Sequence, residues 1–111
     1  MDSPLQITLR DVPRSPVLEQ AIRDRAMKME RFFADVLNCR VSVAPADKTR
    51  HRQGALKVRV ELHVPGQAIV TFGENDDARA AVREAFDQAA RQLQEYAQRL
   101  RGDVGRNRSV A

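Results

Sequence analysis

Between residues 56 and 72 the chain can be little other than a β-hairpin. Leu56, Val58, Val60, Leu62 and Val64 alternate with Lys57, Arg59, Glu61 and His63. A period of two places the first set on one face of a strand and the second on the other. Pro65-Gly66 follows, and a type II turn takes such a pair at its centre. The chain then returns over residues 67–73, with Ala68, Val70 and Phe72 read as the apolar set. A sheet with one apolar face needs a cover, so the flanking segments must supply it.

Those segments read as helices. Upstream, Ser15 is a good N-cap and Pro16 fits the first helical position, where its missing N–H costs nothing. The helix expected over 16–34 has an apolar face of Leu18, Ile22, Met29 and Phe33, flanked by Ala21, Ala26 and Phe32. Arg25 and Lys28 border that face, while Arg31 lies farther round on the exposed side. Downstream, Glu74-Asn-Asp-Asp77 offers caps and negative charge for a helix over 78–100. Its stripe is Val82, Phe86, Ala89, Leu93, Tyr96/Ala97 and Leu100, and Gly102 is a natural stop. Leu5, Ile7 and Leu9 alternate in a short first strand, and residues 40–44 form another, ended by Pro45.

The order is β-α-β-β-β-α, an α+β class with a four-stranded sheet and both helices packed on one face. This outline is close to that of a double-stranded-RNA-binding domain. A chain of 111 residues supports one such core. The domain is expected over 1–101, with 102–111 as a disordered C-terminal tail.

Net charge is +4 with a pI near 10.0, and its distribution is more telling than its size. Residues 14–59 carry eleven Lys or Arg against five acids, a net of +6, whereas 60–77 carry a net of −4. A concentrated positive field suits docking to a polyanion. Arg outnumbers Lys, and guanidinium groups bind phosphate bidentately. The cationic candidates are Arg25, Lys28 and Arg31 on the first helix and Lys48, Arg50 and Arg52 in the loop 46–54. Arg79, Arg83 and Arg91 lie on the last helix. A solvated charged surface is the plainer interpretation of the same residues. Only 5% of residues are aromatic, and Phe32, Phe33, Phe72, Phe86 and Tyr96 read mostly as core. That favours backbone or shape recognition of structured RNA over base stacking.

Catalysis finds no support. The chain has no G-x-S-x-G, no phosphate-binding loop and no Cys/His nucleophile arrangement. His51 and His63 have no ligands at metal-site spacing, so no catalytic residue, metal or cofactor is expected. Asp76-Asp77 is more simply a helix cap than a catalytic pair. Cys39, the single cysteine, excludes an intrachain disulfide and suits a reducing cytosol as a small buried residue. With neither a basic-then-apolar leader nor an apolar run of membrane-spanning length, the expected location is cytoplasmic.

Three stretches carry a resemblance to a known family. They are Lys28-Met-Glu-Arg-Phe-Phe33 closing the first helix, Val64-Pro-Gly66 in the hairpin, and Asp77-Ala-Arg-Ala-Ala-Val82 opening the last helix, with Arg91-Gln-Leu93 within it. In this order and spacing the chain resembles the bacterial ribosome hibernation factors, the ribosome-associated inhibitor A and hibernation-promoting factor family, from about residue 4 to 101. His51-Arg-Gln-Gly54 and the ending at Arg101-Gly-Asp-Val104 look like a divergent subgroup. The resemblance implies binding to the small ribosomal subunit and its rRNA in the channel that holds messenger and transfer RNA. It also implies translation inhibition in stationary phase or stress. Matching basic positions are Arg25, Lys28, Arg31 and Arg91. Gln88, Gln94, Glu95 and Ala97 stand where family members often carry lysine, which implies either weaker ribosome affinity or binding carried by the loop at 48–52 instead. The chain reads as a short form, a monomer or weak homodimer with no membrane partner and no small-molecule substrate. The alternatives are a general structured- or double-stranded-RNA-binding module, or a protein-interaction domain using the exposed sheet face.

Overall fold

The computed structural model describes residues 5–46 and 54–110, with side chains up to Gly102. The elements are β1 (Leu5–Leu9), α1 (Pro16–Phe32), β2 (Asn38–Pro45), β3 (Leu56–Val64), β4 (Gln67–Asn75) and α2 (Ala78–Val110). They form the expected β-α-β-β-β-α domain around one four-stranded sheet of order β1-β2-β3-β4. The sheet is mixed. β1 runs parallel to β2, because a helix connects them, and the other two pairings are antiparallel.

Local chemistry starts both helices. The Ser15 hydroxyl accepts from the Leu18 N–H at 3.2 Å, with Pro16 in the first turn. The Asp77 carboxylate accepts from the Arg79 N–H at 2.9 Å. α1 ends at Phe32, because Phe33 turns extended (φ −133°) while its N–H still bonds the Met29 carbonyl. α2 corrects the expected end. It does not stop at Gly102 but runs to Val110, and Gly102 does not take the left-handed backbone that terminates a helix.

The buried face of the sheet is Cys39, Val41 and Val43 on β2, Val58, Val60, Leu62 and Val64 on β3, and Ile69 and Thr71 on β4. Leu18, Ile22, Ala26 and Met29 of α1 and Val82, Phe86, Ala89, Leu93 and Tyr96 of α2 close over it. β4 therefore faces the opposite way from the sequence reading. A two-residue turn pairs Val64 with Gln67, and directly opposed residues share a face. Ile69 and Thr71 therefore join Leu62 and Val60 inside. Val70 and Phe72 fall beside Glu61 and Arg59 on the open side. Gly66, at φ +88°, supplies the conformation the second turn position needs.

α2 approaches β4 closely. The Thr71 hydroxyl, buried in the contact, donates to the Ala85 carbonyl at 2.7 Å. A Cβ on Gly73 would lie 2.0 Å from the Ala81 carbonyl oxygen, so only glycine admits the helix backbone here. The Tyr96 hydroxyl donates to the Pro65 carbonyl at 2.8 Å and ties the helix to the hairpin turn. The close approach at Gly73 sets where the first turns of α2 lie on the sheet.

Candidate nucleic-acid interface

α1 and α2 lie side by side, and their facing borders form a groove of about 410 Å³. Arg25 and Lys28 line it from α1, Arg79 and Arg83 from α2, with Ala21 and Ala80 leaving the floor low. Four of the nine cationic residues singled out in the sequence thus converge from two elements 50 residues or more apart. Asp24 and Asp77 also line the groove, but both are engaged. Asp24 accepts from the Gln20 amide at 2.9 Å, and Asp77 caps α2. Arg25 is 3.6 Å from Asp87 across the groove. Its guanidinium keeps further donors, since one ion pair uses only part of the fork.

The charge on α2 conflicts with the helix's own preference. The first turn of α2 contains no acidic residue, and Arg79 stands there at the positive end of the helix dipole. A cation in that place costs about 0.3–1 kcal/mol. The Asp77 carboxylate already takes the Arg79 N–H at that end, so it is the Arg79 side chain, not the helix terminus, that is free to meet an anion from the groove. Local rules broken in this way concentrate at functional sites.

Arg31 and Arg91 are exposed but lie outside the groove lining. Lys48, Arg50 and Arg52 fall outside the described residues. The connection that carries them leaves β2 and enters β3 at the end of the sheet where α2 begins, closed by an Ala46 N–H to Ala55 carbonyl bond of 2.9 Å.

Two aromatic expectations need correction. Phe32 is 73% exposed and Phe72 is 42% exposed, so neither is core. Phe32 is the last residue of α1 and lies on the cationic border of its buried face, beside Arg25 and Lys28. Phe72 follows the reversed phase of β4, and Lys57 Nζ sits 4.7 Å over its ring. On the same open face Glu61 binds Arg59 at 2.8 Å and also the His63 imidazole. Those hydrogen bonds, from His63 first and then Arg59, hold its carboxyl below the usual range. Burial, with the Glu30 charge adding to it, pushes the Cys39 thiol up to about 12. Among the described residues no cluster of three or more His, Cys, Asp or Glu could hold a metal ion, and no helix is long and apolar enough to cross a membrane.

A four-stranded sheet covered on one face by two helices, with a cationic seam between the helices, defines the class: a small α+β module. The solved structures of a ribosomal subunit interface protein from Coxiella burnetii and of the Thermus thermophilus Protein Y N-terminal domain share the fold. Their TM-scores are 0.71 and 0.68, each at 18% identity. The alignments cover 86% of this chain in both cases, and 98% and 99% of those chains. The chain belongs to the Sigma 54 modulation protein / S30EA ribosomal protein family, whose profile matches residues 5–101. It is also 26% identical over 91 residues to the ribosome hibernation promotion factor of Deinococcus radiodurans. That match covers 82% of this chain and 47% of the relative, so the chain spans about half the relative's length.

Proposed function

We propose that this domain binds the rRNA of the small ribosomal subunit in the channel for messenger and transfer RNA, and so inhibits translation under stress or in stationary phase. The observation that carries this reading is the interhelical groove, where Arg25, Lys28, Arg79 and Arg83 present charge at several heights of one surface. A phosphodiester backbone needs such spaced cations. Family membership supports the ribosome as the bearer of that backbone. The mechanism is steric and electrostatic, with no chemical step, and its setting is the cytoplasm.

Sedimentation of the purified protein with separated ribosomal subunits through sucrose gradients, at low and high salt, tests this. Co-migration with the small subunit that weakens with salt is the expected result. The four groove cations alone should contribute about −3 to −4 to the slope of log K against log salt. Bulk duplex RNA should compete poorly. Protein that stays at the top of the gradient at low salt, or is stripped off by duplex RNA, overturns the assignment.

A further inference from the structure

A second cleft adjoins the cationic groove and shares two of its residues. It measures about 170 Å³ and is lined by Met29, Phe32, Phe33, Phe86 and Ala90, with Arg25, Lys28 and Asp87 at its rim. Phe86 forms the closed floor at 2% exposure, while Phe32 stands open at 73%. Leaving a phenyl ring in water forgoes the free energy of its burial. The fold does not require that exposure, since α1 is already anchored by Leu18, Ile22, Ala26 and Met29.

We propose that this cleft receives one unpaired nucleobase of the bound RNA, stacked on Phe32, while the phosphates flanking it lie along Arg25 and Lys28. The inference rests on the RNA-binding reading above and specifies its ligand: single-stranded or looped RNA with a base turned outward, not the uniform backbone of a duplex. The argument is one of adjacency. A nucleotide pairs a flat apolar ring with an anion a few ångströms away. Here an open aromatic face and two cations border one cleft, continuous with a longer cationic track. Asp87 holds Arg25 at 3.6 Å and keeps that guanidinium at the junction of the two clefts. Base–aromatic stacking is tolerant of sequence, so the site adds affinity for unpaired RNA without reading a code.

The test uses a short single-stranded oligoribonucleotide carrying one 2-aminopurine and its fully paired duplex. Small subunits are assayed in parallel. Wild type should alter the 2-aminopurine fluorescence of the single strand and bind it more tightly than the duplex. Phe32→Ala should weaken single-strand binding by about 5- to 150-fold, the range seen when a stacking ring is removed. The salt slope should not change, because no phosphate contact is lost. Phe32→Tyr should bind like wild type and Phe32→Leu like Phe32→Ala. Because the ring is exposed, circular dichroism and thermal melts of all three should match wild type.

Equal affinity of wild type and Phe32→Ala for the single strand overturns the proposal. So does full activity of Phe32→Leu, which would mark the cleft as a seat for an apolar protein side chain. If small-subunit binding persists in either case, the ribosomal assignment survives and only the base site falls. If wild type stacks the oligonucleotide but ignores the subunit, the base site stands and the ribosomal assignment falls.

Discussion

Replacing Gly73 by alanine tests how the position of α2 depends on one missing side chain. The added Cβ would lie 2.0 Å from the Ala81 carbonyl oxygen, 2.8 Å from the Ala85 nitrogen and 3.0 Å from the Ala81 carbonyl carbon. All three are backbone atoms of α2, so no rotamer change relieves the clash, and the helix must move outward by roughly 1 Å or more. Overpacking of this kind costs about 1–3 kcal/mol. The shift also pulls the Ala85 carbonyl from the Thr71 hydroxyl, now 2.7 Å away. An unpaired buried hydroxyl adds about 1–3 kcal/mol. The expected loss is about 2–6 kcal/mol, a large part of a small domain's stability. In urea unfolding the midpoint should fall by about 1–3 M at a slope of about 2 kcal/mol/M. Gly66→Ala is the control. It meets nothing within 4 Å but places alanine at φ +88°, so it should cost about 1–3 kcal/mol from backbone strain alone. Since Ala81 lies between Arg79 and Arg83 on α2, Gly73→Ala should also weaken ribosome binding beyond its effect on folding, whereas Gly66→Ala should not. A Gly73→Ala midpoint within about 0.3 M of wild type would refute the close-approach argument.

Other perturbations separate stability from binding. Arg79→Gln removes a cation from the positive end of α2 and should raise stability by about 0.3–1 kcal/mol, while binding weakens and the salt slope shrinks by about 0.9; a loss of both stability and binding would count against the groove as a site in tension with its fold. Glu61→Gln should destabilise at pH 7, because a carboxyl held below its usual 4.5 in the folded state favours folding above that value. As pH falls through the lowered folded-state value, the contribution of Glu61 is lost and the two proteins should converge in urea titrations. Cys39, buried with its thiol pushed up to about 12, should resist thiol reagents at pH 8 until denaturant is added; fast labelling of the native protein would contradict its burial.

Much of this architecture was legible because it rests on local chemistry. Ser15-Pro16 and Asp77 mark helix starts through their own hydrogen bonds, and the alternation of β3 needs no partner to be read. The phase of β4 was legible as well, through a different signal. Ala68, Val70 and Phe72 look like an apolar face, but the two-residue turn after Val64 fixes the opposite parity, and turn geometry outranks composition there. Gly73 and Thr71 belong to the buried face for the same reason. Gly102 failed as a stop signal because a glycine ends a helix only when its backbone turns left-handed. The site was half legible. Charge marked Arg25, Lys28, Arg79 and Arg83 individually, but only the packing of α1 beside α2 brings them into one groove and excludes Arg31 and Arg91 from it. The exposure of Phe32 was hidden, since an aromatic one turn past Met29 reads as a continued core stripe, whereas Phe32 lies at the border of that stripe with Arg25 and Lys28.

The most direct test of the central claim, that the groove between α1 and α2 grips small-subunit rRNA, is chemical footprinting of that rRNA with wild type and with Lys28→Glu/Arg83→Glu. One reversal lies on each wall of the groove, at exposed positions outside the core. Wild type should protect backbone positions lining the messenger and transfer RNA channel, and the double variant, folded by circular dichroism, should protect none at the same concentration. Protection by the double variant equal to that of wild type would place the interface elsewhere on the domain and contradict the account.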